Sequence, residues 1–432
     1  MGRMGIEVPD MEELLRITAT AQYGDQAPAT SMQSAASATS AESDAGEGPH
    51  APRGYARHLS AVLPALTAAI GQPVPTAVHA DPKRLQRELG LPDASSAIVV
   101  LVDGLGFWNL GMRLGHAPYL RSLMNEPINR RPVSTCAPST TVAAMATFGT
   151  GTCPGLTGMT GYTQRNTQTG ELAQLIAFKN AIPPLELQRQ PTIFETLADR
   201  GVRITSSGLP KFADSPLTVA AFRGARYIGN ERPNDRVFAA AEAARTPGLT
   251  YLYVRDADKV GHNYGWDSDR WIGTFERIDA QLALLHRSAP KGTLIVIVAD
   301  HGMVSVDPDE RIDIAAEPEL AKDVAMVGGE PRSLMLYAAD GVVDPRDIAD
   351  RWRNRLGGRA LVRLCDDAVR DGVYGPVDER VRPMIGDVLV QAAGAVTIVD
   401  SRIQTEKATH LPSVHGSQTL MEMDIPFLID LI

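Results

Sequence analysis

Ala97-Ile98-Val99-Val100-Leu101-Val102-Asp103-Gly104 is the stretch on which the reading of the fold turns. An unbroken apolar run of this length, rich in β-branched residues, describes a strand covered on both faces, which is the condition of a parallel sheet between helices. Thr250 to Val254 and Thr293 to Val298 (TLIVIV) have the same texture. Amphipathic helices are expected between them. One begins at Thr192, where Thr192 and Glu195 have capping-box spacing. Another starts near Asp267 and places Trp271, Phe275, Ile278, Leu282 and Leu285 on one stripe, at spacings of 4, 3, 4 and 3. Apolar strands alternating with helices predict a layered α/β fold with a mostly parallel central sheet.

Outward from this core the texture changes. Gly24 to Arg53 holds one large apolar residue, Met32, among small and polar ones, and reads as a disordered linker that cannot offset its ordering entropy. Met11 to Tyr23 before it reads as a short helix without an obvious partner. The folded chain is expected from about Tyr55, where Leu59, Val62, Leu63, Leu66 and Ile70 keep helical spacing and Gly71 stops it. From Pro331 to about Arg402, short strand-like runs (Ser333 to Tyr337, Ala360 to Leu364, Asp387 to Gln391, Val396 to Val399) surround one helix opening at Asp344-Pro345. The expected organisation is therefore an arm over 1–54, an α/β core over 55–330, an inserted α+β subdomain over 331–402, and a return to the core over 403–432.

Composition narrows the function. The 432 residues carry 42 Lys plus Arg against 51 Asp plus Glu, a net charge of −9. That balance argues against a nucleic-acid polymer as partner, which requires many cations to displace counterions. It leaves room for a small anionic ligand in one cleft. Three Cys allow neither a disulfide framework nor a four-thiolate zinc site. The start of the chain lacks a signal-type apolar segment and the apolar runs are too short to span a bilayer, so the expectation is no membrane partner and a cytoplasmic location.

The chemistry is concentrated where the strands end, since ligands of open α/β sheets bind at the strands' carboxyl ends. Val102 runs into Asp103, Val254 toward Asp256 and Asp258, and Val298-Ala299 into Asp300. Asp258 and His262 are four residues apart, Asp300 adjoins His301, and His415-Gly416 lies near the C-terminus. A lone Asp-Gly is also a good turn, and a lone His is commonly structural. Three strand ends with carboxylate and imidazole together, without thiolate, suit zinc or another divalent transition metal. Cys136-Ala-Pro-Ser139-Thr140-Thr141 then opens an Ala-rich helix. Its hydroxyls are either a helix cap or a nucleophile that needs a metal to ionise it.

In this order the motifs resemble the alkaline phosphatase superfamily, and within it the nucleotide pyrophosphatase/phosphodiesterase branch. Ser139-Thr140-Thr141-Val142 through Thr150-Gly151-Thr152-Cys153-Pro154 to Gly158 is similar, without gaps, to that branch's nucleophile region. The resemblance covers Ala97 to the C-terminus and implies an alkaline-phosphatase-like layered sandwich. It also implies two zinc ions, one held by Asp258, His262 and His415 and the other by Asp103, Asp300, His301 and Thr141. Thr141 would be the nucleophile, and phosphodiester or pyrophosphate bonds of nucleotide-like substrates would be cleaved through a phospho-threonine. Two departures bear on the substrate: the stretch that commonly supplies an Asn ends here in Thr160-Gly161-Tyr162, and the segment after the metal His reads Gly261-His262-Asn263-Tyr264-Gly265-Trp266. Tyr162, Phe212, Tyr264 and Trp266 are the candidates to stack on a base or other flat group.

Competing readings are weaker on the residues. Cys136-x-Pro-Ser is also similar to the sulfatase nucleophile motif, but Thr140 stands where that motif has Arg. A phosphomutase of the same superfamily would want a larger cap. A phosphomonoesterase has an additional negative charge to neutralise, and no Arg lies between Cys136 and Tyr162, while Arg255 and Lys259 lie near the metal loop. A non-catalytic metal-binding protein would have no use for the Thr141 hydroxyl.

Overall fold

The computed structural model describes residues 6–24 and 54–432. Its central sheet has six strands: β1 (Ser96–Val102), β2 (Arg203–Gly208), β3 (Arg226–Gly229), β4 (Gly248–Val254), β5 (Thr293–Val298) and β6 (Phe427–Leu431). Their order is β6-β5-β1-β4-β2-β3, parallel throughout except for β6, which runs antiparallel along β5. β1, β4 and β5 are the three apolar runs of the sequence, and β1 and β5 are buried at every position. β1 lies between the other two, in register at Val102 with Val254 and at Leu101 with Val298. The carboxylates that follow these strands therefore emerge side by side on one edge of the sheet.

Helices cover the sheet as the periodicity predicts. The Thr192/Glu195 capping box is formed in full ahead of the helix Ile193–Asp199. The helix Asp269–Ser288 buries Trp271, Phe275, Ile278, Leu282 and Leu285, with Ser268 Oγ capping the Trp271 N–H. Side chains removed this completely from water contribute about 1.5–3 kcal/mol each, which explains why this stripe fixes the helix on the sheet.

A second sheet, of four antiparallel strands, has its own core. In order it joins Val324–Glu330, Ser333–Ala338, Val388–Ala392 and Ala360–Leu364. The helix Arg346–Leu356 lays Ile348, Trp352 and Leu356 against it. Pro345 occupies the N-cap position rather than the first helical one, and Asp344 Oδ1 accepts the Arg346 N–H at 3.0 Å. The sheet takes in Val324–Glu330, ahead of residue 331, because this strand pairs with Ser333–Ala338 in a hairpin.

The N-terminal segment departs from expectation. Only Met11–Leu14 is helical, and the chain beyond it is mostly extended and packed. Leu14 is wholly buried, Ile17 bridges to Thr419, and the Thr18 N–H donates to Gln418 O at 2.8 Å. The buried Tyr23 hydroxyl accepts from Ala137 N at 3.2 Å and donates to Val373 O at 3.4 Å. Far from lacking a partner, residues 6–24 strap the loops that carry Ala137 and Gln418. The linker expected over Gly24 to Arg53 lies outside the described residues from 25 onward.

Candidate active site

Asp103, Asp258, Asp300, His262, His301, His415 and Thr141 meet at the carboxyl ends of β1, β4 and β5. Backbone geometry brings the first two together. The Asp258 N–H donates to Asp103 O at 3.0 Å, and Gly104, at φ +73, passes so close that a Cβ there would lie 2.8 Å from Asp258 Cα. No side chain fits at this position, so the Asp-Gly step is needed for more than a turn. Asp258 and His262 share a face of the helix Asp256–Tyr264, with His262 Nε2 3.1 Å from Asp258 Oδ1. His415 reaches the cluster because Ser413–Val414 pairs antiparallel with Val304–Ser305, directly after the Asp300-His301 corner.

The three imidazoles are oriented alike. His262 Nδ1 bonds Ser413 O at 2.8 Å, His301 Nδ1 bonds Gly302 O at 3.1 Å, and His415 Nδ1 bonds Ser139 O at 2.9 Å. A carbonyl only accepts, so each Nδ1 carries the proton and each Nε2 presents a lone pair to the cluster. His262 Nε2 and His415 Nε2 face each other at 3.2 Å, and His301 Nε2 lies 3.4 Å from Asp300 Oδ2 and 3.6 Å from Asp103 Oδ1. Asp103 Oδ1, Asp258 Oδ1 and Asp300 Oδ2 are buried without a hydrogen-bond partner. Buried carboxylate oxygens and imidazole lone pairs aimed at one another are the donor set of a divalent cation. Two groupings converge most tightly, Asp258 with His262 and His415, and Asp103 with Asp258 and His301. Asp258 is common to both, and Asp300 lies beside the second.

The electrostatics agree. Burial, followed by the charges of Asp300 and Asp258, pushes the Asp103 carboxyl well above its ordinary range. Burial and then the neighbouring His301 and His262 hold His415 well below that of a free imidazole. For Asp258 burial alone would raise the pKa, but His262 and His415 draw it down overall. Each of these groups is thus shaped by the others and by exclusion from water.

Thr141 is the first residue of the helix Thr141–Thr150, half-buried, with Oγ1 3.1 Å from His301 Nε2. The hydroxyls here do not cap the helix. Thr140 at the N-cap makes no side-chain capping bond, and Ser139 Oγ donates to Ser417 O at 2.7 Å. Cys136 is fully buried, its thiol bonded to Pro138 O and pushed by burial up to about 12, as befits an inert core residue.

The aromatic candidates separate. Phe212 lines a cavity of about 290 Å³ that also touches Thr141, Asp103 and Asp258. Trp266 does not reach it. It is 5% exposed, packed edge-on against Trp271 because the apolar ring is better buried in the core than held in the loop. Tyr264 is 50% exposed with the Arg270 guanidinium over its ring, outside this cavity. Tyr162 is partly buried, its hydroxyl accepting from Gln174 Nε2 at 2.8 Å, and it is not part of the cavity wall. Sequence reasoning missed Tyr253, whose hydroxyl donates a short hydrogen bond to Asp103 Oδ2, and Glu330, whose Oε2 lies 3.9 Å from His415 Nδ1. Tyr253 is the penultimate residue of β4, and its polar tip at a strand end beside Asp103 was the available signal.

Residues 97–416 match the family described as type I phosphodiesterase / nucleotide pyrophosphatase. A phosphopentomutase of Rhizobium leguminosarum bv. trifolii is 29% identical over 124 residues, 28% of each chain, so only about a quarter of that relative is spanned. Among solved structures, an inactive form of murine ectonucleotide pyrophosphatase/phosphodiesterase 5 in complex with AMP superposes at a TM-score of 0.62 with 18% identity, covering 77% of this chain and 87% of that one. Phosphonoacetate hydrolase from Sinorhizobium meliloti 1021, in complex with phosphonoformate, gives 0.59 with 21% identity, covering 79% and 91%. Both have the same layered fold.

Proposed function

The chain belongs to the type I phosphodiesterase / nucleotide pyrophosphatase family of the alkaline phosphatase superfamily, a family of metal-dependent phosphoester hydrolases, and from that premise we propose that it cleaves phosphodiester or pyrophosphate bonds of a small, nucleotide-like substrate with Thr141 as nucleophile. The observation that carries the reading is the position of Thr141 Oγ1, 3.1 Å from His301 Nε2 at the rim of a cluster of unpartnered carboxylate oxygens and imidazole lone pairs. We assign Asp258, His262 and His415 to one zinc ion and Asp103, Asp300, His301 and Thr141 to a second.

A metal pair held by these residues would supply the positive charge needed to ionise a hydroxyl at neutral pH and to offset charge on the attacking and leaving oxygens. Thr141 Oγ forms a bond to phosphorus as the bond to the leaving oxygen breaks, and the leaving group departs with the electron pair and is protonated by solvent. Water then attacks the same phosphorus as the P–Oγ bond breaks, and the Thr141 oxygen leaves with the electron pair and takes up the proton the water gives up. The free N–H groups in the first turn after Thr141 offer donors to the phosphoryl oxygens. Tyr253 holds Asp103, and the N–H groups of Gly104 and His301 hold Asp300 Oδ1 at 3.0 and 3.1 Å. The three carbonyls fix the imidazoles in the ligating tautomer. No helix among the described residues is long and apolar enough to cross a membrane.

The test compares hydrolysis of a nitrophenyl phosphodiester with the matching monoester, with zinc and with chelator, in wild type and Thr141→Ala. Diester turnover lost with chelator and with Thr141→Ala supports the proposal. A monoester preference changes the substrate class, and activity surviving Thr141→Ala removes the nucleophile.

A further inference from the structure

The cavity beside Thr141 carries two chemically opposite groups. Asp103, Asp258 and Thr141 line it together with Lys211, Phe212 and Arg255, and ring contacts set the two groups apart. Tyr253, bonded to Asp103, meets Phe212 edge-on at 5.8 Å between centroids, and Phe212 lies 5.0 Å from Lys211 Nζ and 5.7 Å from the Arg255 guanidinium. The two cations thus gather around the Phe212 ring, with the Tyr253 ring between Phe212 and Asp103.

Neither cation is matched by a carboxylate within 4 Å among the described residues. Asp256, next to Arg255 in sequence, instead faces Arg236 at 4.0 Å. A cation over an aromatic face is weakly held and keeps its outward hydrogens for another acceptor. The same wall holds an unsatisfied hydroxyl. Ser207 Oγ and Tyr227 OH donate to Arg236 O and Leu209 O at 2.9 and 2.8 Å, whereas Ser206 Oγ, in a residue 2% exposed, has no partner. A buried polar atom left without a partner on a cavity wall points to a ligand that completes it. The volume, about 290 Å³, is at the small end of ligand pockets, which run from roughly 300 to 1,000 Å³.

We infer that this cavity selects small substrates bearing a second anionic group, a carboxylate or a phosphate, on the part of the molecule remote from the reacting phosphorus, and that Lys211 and Arg255 bind that group while Ser206 bonds the body between. The inference rests on the hydrolase reading for the position of the phosphorus. Lys211 and Arg255 set specificity here and take no part in bond making. In a chain with a net charge of −9, this placement of cations is local and directional, so it discriminates between ligands more than it attracts anions in general.

The test uses three 4-nitrophenyl phosphodiesters whose second ester group is butyl, 3-carboxypropyl or 3-phosphopropyl, with the zinc-loaded full chain. The charged esters should exceed the butyl ester in kcat/KM by about tenfold or more, as for hydrogen bonds to charged groups, and the better of the two identifies the anion. Lys211→Met and Arg255→Met should each bring the charged-to-neutral ratio toward one. Equal kcat/KM for all three, or a preference that both variants retain, overturns the inference and leaves the hydrolase reading standing. If no diester is turned over, the phosphodiesterase reading fails. Calorimetric binding of butylphosphonate against 3-carboxypropylphosphonate then decides the inference alone: tighter binding of the charged compound that Lys211→Met abolishes supports it, and equal binding overturns it.

Discussion

His262 Nε2 and His415 Nε2 face each other at 3.2 Å while each ring's Nδ1 is committed to a backbone carbonyl. Two lone pairs at that distance, beside Asp258 Oδ1, repel unless a cation or a proton lies between them. Burial holds His415 well below the ordinary imidazole range, whereas His262, against its own burial, is drawn up by Asp258, so it is the convergence of both Nε2 atoms and Asp258 Oδ1, not the shifts, that fits a cation.

Metal removal should therefore cost stability as well as activity. A ligand present at a thousand times its Kd stabilises the folded state by about 4 kcal/mol. Calorimetric unfolding with chelator should show a loss of this order, reversed by zinc. An unfolding curve indifferent to both would separate the cluster from metal binding.

Tyr253→Phe removes the donor that orients Asp103 without changing the volume of the side chain. Loss of such an outer contact lowers metal affinity or activity by about 10–100-fold. Zinc titration of the chelated variant measures it, and unfolding in denaturant should confirm an intact fold.

Glu330 gives a pH dependence with a definite sign. Burial, reinforced by the Glu422 charge and opposed by the nearby Thr140 hydroxyl, pushes its carboxyl up to about 8. The folded state then holds this proton more tightly than the unfolded chain, so stability is full below the unfolded pKa, about 4.3, and is lost as pH rises through the folded one. In chelated protein, Glu330→Gln should flatten this loss, gaining about 1–3 kcal/mol over wild type at pH 8.5 and little at pH 4. Denaturant titrations at the two pH values check it.

Phe212→Ala should raise KM for aromatic diesters about tenfold, by removing the apolar contact area of the ring. Tyr264→Ala should leave KM within about twofold, in keeping with the small effects of surface substitutions. Equal effects of both would place the aromatic contact elsewhere.

These residues also show what the sequence makes legible. Asp103, Asp258 and Asp300 could be brought together in advance because each follows an apolar run, and adjacent parallel strands end on the same edge. Helix Asp269–Ser288 could be read because its stripe is regular. Trp266 could not be separated from Phe212 in the same way, since whether a loop aromatic turns inward depends on Trp271, which packs against it from the next helix. The strap of residues 6–24 was hidden for a related reason: its partners, Thr419, Gln418 and Val373, are some 350 to 400 positions away, and extended chain has no periodicity to betray such contacts. Glu330 enters the site from the second sheet, where Gly416, at φ +131, makes room for it; a Cβ there would lie 2.6 Å from Glu330 Cγ.

Attack by Thr141 followed by water at the same phosphorus leaves its mark on the stereochemical course of hydrolysis. A nitrophenyl phosphorothioate diester of known configuration, hydrolysed in isotopically labelled water, reports the number of displacements. Two in-line displacements through Thr141 predict net retention at phosphorus. Inversion would mean that water attacks the substrate directly, and would contradict the covalent role assigned to Thr141.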